Sequence, residues 1–245
     1  MTVLALYNLK GGVGKTAAAI NLAYLAAAEG YKTLVWDLDP QGSSSFYLNV
    51  KATNKNETKK IFTEELDIKN SIQGSAFKNL WVIPSDISAR NIDALLNESK
   101  HSKKKLKSLI SSLKNFDIVI LDSPPGISLL HENIFNAVKW ILMPVIPTTL
   151  SVNSFEIVTE YFKNNELDKG KIKCFFSMVD HRKNLHHEVI QQFYKDKLFF
   201  KSYIPYLSDV EKMGIQKKPL FEYANSSYAA QCFRDLWNEV KKVCL

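Results

Sequence analysis

Arginine is nearly missing from this sequence. Of 32 lysines and arginines in 245 residues, only Arg90, Arg182 and Arg234 are arginine. Lysine is a flexible point charge, suited to diffuse attraction to phosphates more than to bidentate reading of base edges. The net charge of +7 therefore points to a polyanion met without sequence reading. Cysteine is scarce as well. Cys174, Cys232 and Cys244 are odd in number, far apart and form no CxxC pair, which argues against a disulfide framework and for a reducing compartment. Long apolar runs are missing. The most apolar helical stretch, Ala17 to Ala28, is too short for a bilayer and contains Asn21. The start has neither a basic n-region nor an apolar h-region, so a cytoplasmic location is expected. Linkers rich in Pro, Gly or Ser and internal repeats are also missing. Residues 1–245 are expected to form a single domain, and 46% hydrophobic content suffices for one core.

Apolar strand-like runs and helical patterns alternate. Strands are expected at Val3–Tyr7, Thr33–Asp37, Leu80–Ile83, Ile118–Leu121, Trp140–Val145, Ile172–Met178 and Phe199–Ile204. Helices are expected at Thr16–Glu29, Ser88–Asn97, Lys103–Leu113, Leu129–Val138, Ser154–Asn164, Leu185–Lys195 and Ser227–Val243, with Gly30 capping the first. This order predicts an α/β fold, a mostly parallel twisted sheet flanked by helices. The polar stretch Lys51–Lys60 reads as a mobile surface loop without chemistry.

Glycine is used sparingly, yet three of nine fall at Gly11, Gly12 and Gly14. They stand in Asn8-Leu9-Lys10-Gly11-Gly12-Val13-Gly14-Lys15-Thr16, between an apolar strand and a helical pattern. Such a loop can turn its N–H groups inward, and the helix N-terminus adds partial positive charge. Lys15 can reach β- and γ-phosphates, and the Thr16 hydroxyl can ligate Mg²⁺. Leu9 stands where the usual P-loop has glycine, and a second lysine, Lys10, precedes the glycine pair. A second motif, Asp37-Leu38-Asp39-Pro40-Gln41-Gly42, follows a strand end. Alternation would send both carboxylates to one side, where they can hold the waters of Mg²⁺ and orient an attacking water. A third, the apolar run Ile118–Leu121 ending in Asp122-Ser123-Pro124-Pro125-Gly126, reads as a Walker B strand whose acid binds Mg²⁺.

Together these motifs resemble the ParA/MinD family of deviant Walker A ATPases, over nearly the whole chain. The resemblance implies that Lys10 reaches across a dimer interface to the phosphates held by the other subunit. It gives Asp39 the task of positioning the hydrolytic water, and Lys10, Lys15 and Asp39 are the candidate catalytic residues. It implies ATP and Mg²⁺ as cofactors, with ATP held by Lys10, Gly11, Gly12, Val13, Gly14, Lys15, Thr16 and Ala17, and metal by Thr16, Asp37 and Asp122. Pro124-Pro125-Gly126 is similar to the family's switch II. The segment Met178-Val179-Asp180-His181-Arg182 and the pair Ile204-Pro205 resemble family segments, placing Met178 and Pro205 beside the adenine. The chain departs from the pattern at Ala17, where the family usually has threonine, and at Tyr206-Leu207, where it often has Arg-Asn.

The function so implied is an ATP-dependent homodimer that binds nonspecific double-stranded DNA and segregates plasmid or chromosomal DNA. Hydrolysis would be slow, stimulated by a centromere-binding, ParB-like protein, and the protein would sit on the nucleoid. Candidate DNA-binding residues are Arg182, Lys183, Lys201, Lys212, Lys217 and Lys218, with Lys241 and Lys242 on the last helix. Two alternatives are a MinD-like membrane regulator and an ATPase that positions a protein cargo. The first needs an amphipathic anchor. The helix ending Val240-Lys241-Lys242-Val243-Cys244-Leu245 reads as a docking face, so no stable membrane anchor is expected. A relative of the nitrogenase iron protein would need paired cysteines, which this sequence does not offer.

Overall fold

The computed structural model describes residues 1–98 and 102–245. Eight strands lie in one sheet: β1 (Thr2–Leu6), β2 (Thr33–Asp37), β3 (Gln73–Gly74), β4 (Leu80–Ile83), β5 (Ile118–Asp122), β6 (Trp140–Val145), β7 (Ile172–Val179) and β8 (Phe199–Pro205). Their spatial order is β3-β4-β2-β5-β1-β6-β7-β8, and every pairing is parallel except β3 with β4. The helices are α1 (Lys15–Ala28), α2 (Ser43–Tyr47), α3 (Glu57–Phe62), α4 (Ile92–Glu98), α5 (Lys105–Ser111), α6 (Leu129–Ala137), α7 (Thr149–Asn164), α8 (Asn184–Phe193), α9 (Ser208–Glu211), α10 (Met213–Gln216) and α11 (Tyr228–Cys244).

Side chains of successive strand residues leave opposite faces, and here both faces are apolar. Val3, Ala5 and Tyr7 pack into one core with Trp36, Ile134, Phe135, Phe155 and Phe162. Leu4 and Leu6 pack into the other with α1 and α11, through Ala19, Ala23, Ala26, Phe233, Leu236 and Trp237. Sheets covered on both sides read as continuous apolar runs, which is why these strands are conspicuous in the sequence. The alanines of α1 leave little side chain between helix and sheet. The same helix ends as expected at Gly30, whose N–H donates to Ala27 while Tyr31 N–H donates to Ala26.

Some expectations need correcting. Lys51–Lys60 is not a plain surface loop, because α3 begins inside it at Glu57. The Glu57 side chain is fully buried, and its Oε2 accepts from the N–H groups of Thr53 and Asn54 at 2.8 and 2.7 Å. Helix α7 starts at Thr149, five residues ahead of the expected Ser154, because buried Ser151 and Ser154 hide its period. The helix expected at Ser88–Asn97 opens with a tighter 3₁₀ turn over Ile87–Asn91 before α4.

Candidate functional site

The glycine loop leaves the sheet between two anchors. Asn8 is fully buried; its Nδ2 donates to the Pro144 carbonyl at 2.7 Å, and its Oδ1 accepts the Lys10 N–H at 2.8 Å. The loop then passes through two left-handed residues, Gly12 (φ 72°) and Gly14 (φ 92°). A Cβ on Gly14 would stand 2.8 Å from Ser177 Oγ, so that position needs glycine for both conformation and space. Val13 is buried beneath the loop, leaving only its backbone to serve a ligand. Helix α1 starts at once, with no side chain capping its first amides. Uncapped N–H groups at a helix start are donors available to an anion.

Lys15 is 7% exposed, and its Nζ donates to the Lys10 carbonyl at 3.0 Å. Burial lowers its pKa, while the nearby acids Asp122 and Asp39 work to keep it charged. Its ammonium is thus held at the loop by a single backbone acceptor. Lys10 itself is half-buried and makes no salt bridge among the described residues.

Asp37 and Asp122 are register partners on adjacent strands and both are buried. Asp37 Oδ2 accepts Ser45 Oγ at 2.7 Å and Ser45 N–H at 2.8 Å, and Oδ1 accepts Asp39 N–H at 3.2 Å. Asp122 Oδ2 accepts Ser44 Oγ at 2.7 Å, but its Oδ1 is buried with no partner. Burial raises the pKa of both carboxyls, and the charge of Asp122 raises Asp37 further. Hydrogen bonding from Ser44 and the nearness of Thr16 and Lys15 pull Asp122 the other way. An orphaned carboxylate oxygen beside a threonine hydroxyl is a hard-oxygen donor set, and it fits Mg²⁺. Thr16 and Asp122 would hold the ion. Asp37, with both oxygens already accepting, would act behind them through its charge.

Asp37 and Asp39 stand side by side at the strand end, where the Asp39 N–H donates to Asp37 Oδ1, but they differ in exposure. β2 ends at Asp37, so strand alternation stops there, and Asp39 instead lines the open cleft. That cleft holds about 630 Å³ and is bounded by Gly11, Gly12, Gly14, Lys15, Thr16, Ala17, Asp39, Tyr47, Pro124, Pro125 and Met178. A small apolar slot of about 60 Å³ adjoins it, between Ala17 and Ala18 on one side and Met178, Ile204 and Pro205 on the other. Polar loop and apolar slot thus form one groove with chemically different ends, as a nucleotide requires.

The basic candidates are not gathered on one patch. Arg182 gives both Nε and Nη2 to Asp180 at 2.9 Å, and that pairing holds the Asp180 carboxyl well below the ordinary range. Lys212 faces Asp209 at 3.4 Å and Lys241 faces Glu29 at 2.7 Å. Lys201 lies over the Tyr194 ring at 4.1 Å, while Lys183 and Lys242 are exposed. Lys217 and Lys218 do come together, with Lys78, around a wide concavity of about 750 Å³. Sequence reasoning missed Lys78, and it missed Asn8, Ser44, Ser45 and Ser177 as site-shaping residues. The run Ser43-Ser44-Ser45 directly after Gly42 was the one available signal.

A loop offering backbone donors and a lysine to phosphate, next to an acid with one free oxygen, puts the chain among the P-loop nucleotide hydrolases. Lys10 puts it among those of the deviant Walker kind. A family model described as an AAA domain matches residues 1–173. The sporulation initiation inhibitor Soj of Bacillus subtilis is 28% identical over 97% of both chains. The chromosome-partitioning ATPase Soj of Treponema pallidum is 30% identical over 94% of this chain and 90% of its own. A plasmid partition protein of Borrelia burgdorferi bound to AMPPNP shares the fold, with a TM-score of 0.87 and 20% identity over 99% of both chains. The chain belongs to the ParA/Soj family of partition ATPases.

Proposed function

We propose that the chain binds MgATP in this groove, dimerises on it, and in that state holds nonspecific double-stranded DNA to segregate a plasmid or chromosome. The glycine loop carries the reading, with the Lys15 ammonium folded onto it and the uncapped start of α1 behind it. The loop amides and Lys15 receive the β- and γ-phosphates, and Thr16 and Ala17 begin the helix that faces them. Met178 and Pro205 border the base in the apolar slot. Lys10, free of ion pairs among the described residues, reaches the phosphates of the partner subunit. Asp39, the carboxylate exposed to the cleft, orients the attacking water. Thr16 and Asp122 would hold Mg²⁺, whose chemistry there would be neutralisation of phosphate charge. Charge from both lysines then meets the charge that develops on the leaving phosphate.

The DNA surface rests on lysine excess and is led by Lys217 and Lys218, which already stand together. Hydrolysis is slow until a centromere-binding, ParB-like partner stimulates it, and the working place is the nucleoid in the cytoplasm. No described helix is long and apolar enough to cross a membrane. The test is co-sedimentation with random duplex DNA and, separately, with anionic vesicles, each with ATP and with ADP. ATP-dependent pelleting with DNA is expected. Pelleting with vesicles alone would replace this reading by a membrane regulator, and pelleting with neither would favour a protein cargo.

A further inference from the structure

The short helix α2 spends its first turn on the two acids. Ser44 Oγ donates to Asp122 Oδ2 at 2.7 Å, and Ser45 Oγ donates to Asp37 Oδ2 at 2.7 Å. The Ser45 hydroxyl in turn accepts the N–H of Ser85, just past the end of β4, at 3.0 Å. Ser44 and Asp122 are both buried, and they are 78 residues apart in the chain. Two consecutive serines therefore each tie one of two neighbouring strand ends. The consequence for Asp122 is specific. A carboxylate turns about its last bond with a broad, roughly two-fold preference. The Ser44 hydroxyl holds one oxygen, and the other is left buried and unpartnered.

We infer that Ser44 is a positioning residue for the metal site: its hydroxyl fixes the Asp122 carboxylate so that Oδ1 alone is presented to Mg²⁺. This rests on the nucleotide-site reading above. Partners that orient a metal ligand without touching the metal typically change affinity ten- to hundredfold when removed. A structural serine that only fills space would not act on metal selectively. In Ser44→Ala Asp122 Oδ2 loses its partner as well, so neither oxygen is held and the carboxylate is free to turn. In Ser44→Thr the hydroxyl remains.

The test measures Mn²⁺ binding by electron paramagnetic resonance in the presence of ADP, together with ADP affinity in EDTA. For the unaltered chain, Mn²⁺ binding that depends on ADP is expected. Ser44→Ala should weaken Mn²⁺ about ten- to hundredfold, while ADP affinity in EDTA stays within about twofold. Ser44→Thr should restore most of the Mn²⁺ affinity. Wild-type Mn²⁺ affinity in Ser44→Ala overturns the assignment. Equal loss in Ser44→Ala and Ser44→Thr also overturns it, because the effect would then follow packing and not the hydroxyl. An unaltered chain that binds no nucleotide overturns the functional reading itself, a result separable from both.

Discussion

Adding one methyl group at each glycine of the loop should produce three different costs. At Gly14 the backbone has φ 92°, and a new Cβ would lie 2.8 Å from Ser177 Oγ. A left-handed residue with a Cβ costs about 1–2 kcal/mol. Ser177 is buried, and forcing its hydroxyl off its rotamer adds about 0.5–1.5 kcal/mol. Gly14→Ala should therefore lose about 1.5–3.5 kcal/mol. At Gly12 φ is 72° but nothing lies within 4 Å of the Cβ, so only the conformational share of about 1–2 kcal/mol applies. At Gly11 φ is not in the left-handed range and the nearest atom is Pro125 Cγ at 3.9 Å. That substitution should be neutral or gain about 0.4–1 kcal/mol from a stiffer unfolded chain. Urea unfolding of the nucleotide-free protein measures all three. The variant Gly14→Ala/Ser177→Ala should recover the steric share and leave the conformational share. If the loop shifts to escape the strain, stability is kept but the amides move, and ADP affinity falls instead. Gly14→Ala with both stability and ADP affinity intact would refute the loop geometry, as would a cost at Gly11 equal to that at Gly14.

Four further outcomes follow from the site and the basic surface. Asp37 and Asp122 have folded-state pKa values raised by burial, so the folded chain holds protons that the unfolded chain releases. Stability in EDTA should then fall as pH rises from about 4 towards neutrality, by up to about 1.4 kcal/mol per pH unit per proton. Asp37→Asn should flatten this slope in urea midpoints taken at several pH values; an unchanged slope would remove the acid pair as its source. Lys10→Ala should bind ATP but fail to form an ATP dimer by light scattering. Asp39→Ala should dimerise yet hydrolyse roughly 10²–10⁴-fold more slowly, and normal turnover in either excludes its proposed role. Lys217→Glu with Lys218→Glu should weaken ATP-dependent DNA binding and reduce the salt slope by about 0.9 for each phosphate no longer neutralised. An unchanged slope in filter binding moves the DNA surface elsewhere.

Strand positions were legible because the sheet is covered on both sides. Thr33–Asp37, Leu80–Ile83 and Trp140–Val145 fall where the apolar runs put them. β5, β7 and β8 run one residue further at the C-terminal end, and β1 is shifted one residue towards the N-terminus at both ends. What escaped was short or held from outside. β3 is two residues long and runs against β4. Helix α2 is Ser43-Ser44-Ser45-Phe46-Tyr47, made of weak helix formers. Its Ser44 hydroxyl bonds to Asp122, 78 residues away, a contact that the serine run alone does not announce. Glu57 opens α3 as a buried carboxylate, whereas in sequence it is one more charge in a polar stretch.

The site divides along the same line. Groups that face a ligand through local backbone, from Lys10 to Ala17, belong to one unbroken run of residues, and the sequence exposes them directly. Groups whose aim depends on register are not exposed. Asp37 and Asp122 become neighbours only because β2 and β5 pair in parallel with Leu34 opposite Val119. Their different use follows from which serine reaches which oxygen. Ser45 and the Asp39 amide occupy both oxygens of Asp37, whereas Ser44 leaves one oxygen of Asp122 open. The same reasoning limits charge counting. Arg182 and Lys212 add to the net charge in sequence, yet each faces an aspartate in the fold. Lys217 and Lys218 make no salt bridge among the described residues. Helix α2 adjoins the first of them, since Lys217 lies 4.8 Å over the ring of Phe46, two residues beyond the serine that holds Asp122. The residue that holds Asp122 and the ring that carries Lys217 therefore stand on the same five-residue helix.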